Sequence, residues 1–192
     1  MGEKQKTLVV YGYHPEEAFS IEVGKTLEEI LAAEPREGLL VTRYVGPNPR
    51  EVDDRINGTP DSGRLLREFL SRFQGMDYVT KLHDELPTPM DEKEAEGFRR
   101  DYSPKDFPGL FAVHTARYQI SRELVRGVLK LCSSQPFRCE YYFSANDMTE
   151  VSDYDDISIC FYPHLLSKND GVDFVRKLAP VLNTYERLVS ND

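Results

Sequence analysis

Thr7-Leu-Val-Val-Tyr-Gly-Tyr13, running directly into His14-Pro-Glu-Glu17, is the stretch from which the rest of the chain is read. The apolar, β-prone run is too short for a helix. It has no polar alternation, so it reads as a strand buried on both faces. From Glu17 to Ala33, Phe19, Val23, Leu27, Ile30 and Leu31 recur at roughly helical spacing. Pro35 and Gly38 stop that helix. Residues 38–45 (GLLVTRYV) then read as a second strand.

The alternation continues along the chain. Residues 46–60 are rich in Pro, Gly, Asn and Asp and read as a loop. Asp61 or Ser62 can cap a helix whose apolar face is Leu65, Leu66, Phe69, Leu70 and Phe73. Residues 76–82, 110–113, 138–143 and 157–162 read as further strands, and residues 118–132 and 172–189 as helices. Pro180 lies inside the last helix, where a proline favours a kink. Residues 87–108 are polar, acidic and proline-containing, and are expected to form a long surface loop. Strand and helix alternate almost throughout. The expected fold is therefore a single three-layer α/β domain over residues 1–192, with a mostly parallel sheet and helices on both faces. Ligands in such folds bind at the carboxyl ends of the strands.

Composition narrows the function. The 192 residues carry 24 Lys+Arg against 33 Asp+Glu, a formal net charge of -9. That balance argues against a nucleic-acid backbone or an anionic membrane as the main partner. No apolar run approaches the ~20 residues of a membrane span. The first residues show no signal-peptide cleavage pattern. Cys132, Cys139 and Cys160 are too few and too irregular for a disulfide framework, and are expected to be reduced thiols of a cytoplasmic protein. The sequence has no Gly-x-Gly-x-x-Gly after the first strand, no complete Walker Gly-x-x-x-x-Gly-Lys-Ser/Thr, no Gly-x-Ser-x-Gly and no Cys-x-x-Cys.

The four histidines are more informative. His14 ends the first strand, and Glu17 follows three residues later at the start of the helix. His83 ends the third strand. Two imidazoles and a carboxylate, with one position left for water, are the usual protein ligands of a catalytic zinc. A glutamate at a helix start is also favourable dipole chemistry without any metal. His114 ends another strand and rivals His83 as third ligand, while His164 follows Pro163.

Further motifs follow in order: Asn48-Pro49, Arg55, Asp61-Ser-Gly-Arg64, a helix, and Lys81-Leu82-His83. With His14-Pro-Glu-Glu17 in front, this order resembles the zinc carboxypeptidase-like hydrolases over roughly residues 7–85. The similarity is strongest to the succinylglutamate desuccinylase/aspartoacylase branch. The resemblance implies that His14, Glu17 and His83 hold Zn2+. It implies that Arg55 polarises the scissile carbonyl or stabilises the oxyanion. Asn48 and Arg64 would bind substrate, with Arg64 pairing a substrate carboxylate through its planar fork. The implied activity is hydrolysis of a small acidic N-acyl amino acid or peptide by a zinc-activated water, in amidohydrolase or carboxypeptidase fashion.

The chain departs from the family pattern at three positions. Cys160 stands where the family places its general-base glutamate, and a thiol is no equivalent proton shuttle. Glu140 is the first substitute candidate and Glu85 the second. Gly63 replaces an asparagine, and Lys81 replaces the aspartate of Asp-Leu-His. The chain is also short for the family. Two other readings therefore stand beside the hydrolase: a zinc- or ligand-binding protein on the same fold with catalysis impaired, and an interaction protein without metal.

Overall fold

The structure, a computed structural model, describes residues 6–14, 16–44, 68–73, 75–85, 91–115, 122–144 and 155–183. The strands are β1 (Thr7–Tyr11), β2 (Leu39–Arg43), β3 (Tyr78–Asp84), β4 (Leu110–Thr115), β5 (Cys139–Ser144) and β6 (Asp155–Phe161). The helices are α1 (Ala18–Ala33), α2 (Glu92–Asp101), α3 (Arg122–Ser133) and α4 (Lys168–Asn183), and residues 68–70 are also helical. The strands form one sheet in the order β2-β1-β3-β6-β4-β5. Every ladder is parallel except β4–β6, which is antiparallel. The sheet is thus mixed but mostly parallel, and β4 and β5 run against the rest.

Side-chain alternation divides the sheet into two faces. Val9, Tyr11, Tyr78, Leu82, Ile157, Ile159, Phe161, Leu110 and Ala112 pack against Val23 and Leu27 of α1, Leu124 and Val128 of α3, and Val175 and Leu178 of α4. On the other face Leu8, Val10 and Val79 pack against Phe69 and Leu70. The continuous apolar run of β1 is explained by this burial on both sides. Helical segments cover both faces, as the alternation predicts. No helix among the described residues is long and apolar enough to cross a membrane.

Two elements differ from expectation. β3 runs on to Asp84, so His83 lies within the strand rather than after it. The 87–108 segment is not a loop throughout, because it contains α2. That helix is polar, so apolar periodicity does not reveal it. Its signal is a capping box: the Asp91 carboxylate accepts the Glu94 N–H at 2.8 Å, and the Glu94 carboxylate accepts the Asp91 N–H at 3.2 Å. Phe98 of α2 packs against Tyr102, Phe107 and Tyr162. The 46–60 loop, residues 61–67 of the helix expected after it, and residues 184–189 of the last helix lie outside the described residues.

Helix α1 approaches β1 closely because Gly24 has no side chain. A Cβ there would lie 2.1 Å from the Tyr11 ring. The ring is held in place, since the Tyr11 hydroxyl donates to Glu28 Oε2 at 2.6 Å. Gly24→Ala is therefore expected to lower stability by about 1–3 kcal/mol through overpacking. Urea denaturation measures it, and an unchanged midpoint would show that α1 is not packed this closely.

Candidate metal centre

The centre begins with a turn. Between β1 and α1 the Glu17 N–H donates to the His14 carbonyl at 3.1 Å, and the Ala18 N–H to the Glu16 carbonyl at 2.9 Å. This folds His14 back over the N-terminus of α1. His83 arrives from the neighbouring β3. One ligand atom from each of His14, Glu17 and His83 lies within 4.8 Å of the other two. The His14 and His83 rings are 5.7 Å apart, and Tyr13 packs on His83 at 5.4 Å.

This donor set suits a divalent metal. His83 Nδ1 and Glu17 Oε1 are 3.4 Å apart, which is long for a hydrogen bond. Two ligands each about 2.1 Å from a shared tetrahedral centre would lie about 3.4 Å from one another. The other carboxylate oxygen of Glu17, Oε2, is buried and accepts no hydrogen bond among the described residues. Burial pushes the Glu17 carboxyl up to about 7, against the pull of His14. A buried, under-bonded carboxylate between two imidazoles is what a cation would compensate.

Asp84 is not singled out by the sequence pattern, yet it sets the geometry. Glu17 occupies the N-cap of α1, but its side chain makes no capping hydrogen bond. The Asp84 carboxylate does that work from another strand. It accepts the Phe19 N–H at 3.0 Å and the Ser20 N–H at 2.8 Å. Burial pushes Asp84 up to about 6, and those two N–H groups pull it back. Strand alternation sends His83 and Asp84 to opposite faces. One residue therefore contributes to the cluster while the next anchors the helix that carries Glu17. The available signal was a carboxylate directly after a ligand histidine at a strand end.

The remaining candidates are placed as follows. Cys160 is the register partner of His83. Its thiol is pushed up to about 12 by burial first and then by Glu85, Glu17 and Asp84. Glu85 follows β3, where its N–H donates to the Phe161 carbonyl at 2.9 Å. Its charge is felt at Glu17, Cys160 and Tyr162, and His83 acts on it in turn. Glu140 is not brought to the cluster. Register runs His83, Cys160, Phe111, Glu140 across the sheet, a separation of about 14 Å at ordinary strand spacing. Its carboxylate is held by the Tyr142 hydroxyl and the Arg138 guanidinium, which lower its pKa. Both facts oppose the expectation that it serves as general base. His114 is not a rival ligand either. It is fully buried on the helix-covered face, with Nδ1 2.8 Å from the Tyr141 hydroxyl. His164 packs near Phe98 instead. Arg55, Asn48 and Arg64 lie outside the described residues.

No family model matches the sequence, and no curated protein matches it. Similar solved structures include murine aminoacylase 3, at 14% identity and TM-score 0.53, covering 96% of this chain and 65% of that one. The chain therefore spans less than two thirds of that aminoacylase. The CwlD amidase of Clostridioides difficile is similar at 10% identity and TM-score 0.51, with 94% and 98% covered. The catalytic domain of CwlV, an N-acetylmuramoyl-L-alanine amidase from Bacillus (Paenibacillus) polymyxa var. colistinus, is similar at 9% identity and TM-score 0.50, with the same coverage. At such identities the likeness shows the fold. The architecture is zinc carboxypeptidase-like, as the motif order implies.

Two outcomes follow from these placements. Asp84→Ala strips the acceptor from two N–H groups, so it should cost about 1–3 kcal/mol of stability. Because Glu17 loses its support, zinc affinity should also fall by about 10–100-fold. Urea denaturation and a zinc titration read the two effects, and undiminished zinc affinity would deny Asp84 its positioning role. Burial lowers the His114 pKa to about 4, against 6.5 when unfolded. The unfolded state therefore binds more protons between those values, and the stability His114 contributes is lost as pH falls from about 6.5 to 4. The stability gap between the wild type and His114→Gln should shift by roughly 3 kcal/mol across that window. A pH-independent gap would show that His114 is not buried as described.

Proposed function

We propose that the protein is a zinc-dependent hydrolase of amide bonds acting on a small acidic N-acyl amino acid or short peptide. The observation that carries this reading is the convergence of His14, Glu17 and His83 within 4.8 Å. Two imidazoles and a carboxylate are the protein ligand set of a catalytic rather than a structural zinc.

When bound, zinc supplies Lewis acidity toward water and a carbonyl oxygen. The other tasks fall to the chain's own residues. Glu85 takes the proton of the attacking water on its carboxylate and returns it to the leaving nitrogen. It is chosen over Glu140 because it stands beside the cluster. Cys160 stays protonated at neutral pH and takes no proton from water. Asn48, Arg55 and Arg64 keep the roles that the resemblance assigns: Arg55 at the developing oxyanion, Asn48 and Arg64 on the substrate, with Arg64 at its carboxylate. With a chain charge of -9, arginines on the substrate would offset the overall repulsion of an anion. The absence of a glutamate at Cys160 favours a second reading, a zinc- or ligand-binding protein on this fold without efficient catalysis.

Zinc should co-purify stoichiometrically with the untagged protein and be lost from both His14→Ala and His83→Ala. Zinc retained by both variants would remove the centre. With zinc bound, a panel of N-acylated acidic amino acids should be hydrolysed. Glu85→Gln should slow turnover by about 10²–10⁴-fold without loss of metal. A metal-loaded wild type that hydrolyses nothing in the panel supports the second reading.

A further inference from the structure

Two cysteines lie together, apart from the metal ligands. Cys132 falls in the last turn of α3 and Cys139 opens β5, and their sulfurs are 3.0 Å apart. Packed carbon atoms approach only to about 3.5–4.0 Å. Both are free thiols. The turn joining them is well fastened. The Ser134 N–H donates to the Lys130 and Leu131 carbonyls, the Gln135 N–H to the Cys132 carbonyl, and Gln135 Nε2 to the Leu131 carbonyl at 2.7 Å. At its far end, Cys139 pairs with Leu110 in the ladder, and the Gly109 N–H donates to the Arg138 carbonyl at 2.9 Å. The two sulfurs are therefore presented to each other by an ordered backbone. Closing by about 1 Å would bring them to a bonded distance of roughly 2.05 Å.

We propose that Cys132 and Cys139 form an oxidisable dithiol, a modification site whose oxidant is a peroxide. Size selects the oxidant. Cys132 is 5% exposed, which admits a small peroxide but not a bulky disulfide such as oxidised glutathione. The hydrogen bond donated by the Cys139 thiol pulls the Cys132 thiol below its ordinary range, while the same contact raises Cys139. Cys132 is thus the thiolate that reacts first. Its sulfur attacks one peroxide oxygen, the O–O bond breaks, and the departing hydroxide takes up a proton as water. The Cys139 sulfur then attacks the Cys132 sulfenic acid. The S–S bond forms, the S–O bond breaks, and the Cys139 proton leaves with hydroxide as a second water. Two thiols are oxidised and one peroxide is reduced to two waters. The bond would fasten the edge strand β5 to α3. The inference is independent of the metal centre, and Cys160, on the other face beside His83, takes no part.

The test is peroxide treatment of the reduced full chain, followed by alkylation under denaturing conditions and digestion without reductant. The expected product carries one alkylated cysteine, Cys160, and an intramolecular Cys132–Cys139 peptide lighter than the reduced pair by two hydrogens. In Cys139→Ser, whose hydroxyl keeps a donor beside Cys132 but cannot resolve it, dimedone should trap a sulfenic acid at Cys132. Three alkylated cysteines in the treated wild type would overturn the proposal, as would a link to Cys160 or a link formed only between chains. Cys139→Ser alters the less buried member of the pair, so the dimedone experiment does not require the core position to be altered.

Discussion

The Asp84 carboxylate, shared between the Phe19 and Ser20 N–H groups, is the contact on which the centre depends. It ties the end of β3 to the start of α1 across 64 residues of sequence. Core packing sets α1 against the sheet, and this contact fixes the first turn of the helix, which carries Glu17, against the strand that carries His83. A helix N-terminus carries partial positive charge, so an anion there is favoured. That charge comes from a strand rather than from the helix's own N-cap, which leaves Glu17 free to turn its side chain toward the histidines.

The same arrangement separates two kinds of buried polar chemistry. On the face packed against α1, α3 and α4, His114 Nδ1 meets the Tyr141 hydroxyl, while His114 Nε2 is buried without a hydrogen bond among the described residues. At the carboxyl edge, Glu17 Oε2 also lacks a hydrogen bond among the described residues, but Glu17 offers a ligand atom within 4.8 Å of those of His14 and His83. An unpaired buried polar atom is thus common to both, and the convergence of three ligand groups marks the second as a ligand site. Both histidines end up near strand termini. What distinguishes His83 from His114 is the face on which alternation places each and the reversal of β4, which pairs His114 with Ile157 while His83 pairs with Cys160.

Much of the architecture was legible because it is local. The run from Thr7 to Tyr13, the helical spacing from Phe19 to Leu31 and the alternation that follows all act over one element at a time. His14 and Glu17 were legible for the same reason, being joined by a single turn. Polar α2 escaped because its signal is a cap, not a periodic face. Glu140 was misjudged as a base because strand order is non-local: nothing within residues 138–143 tells how many strands separate them from His83. The choice of His83 over His114 came from motif order, while burial and strand parity give the structural reason for it. Asp84 was overlooked because its partners are backbone N–H groups, which no residue type announces.

The antiparallel pairing of β4 with β6 has an architectural consequence. In an all-parallel sheet, only the connections leaving strands reach the edge where ligands bind. Here β4 enters the sheet at that edge, where the Tyr162 N–H meets the Gly109 carbonyl and the Gly109 N–H meets the Arg138 carbonyl. The segment from α2 to β4 and the turn from α3 to β5 therefore also border the edge that carries His83. Insertions in these two connections would reshape the surroundings of that edge while leaving ladder register and both cores intact. In that sense the reversed strand enlarges the set of loops through which this fold can vary its specificity.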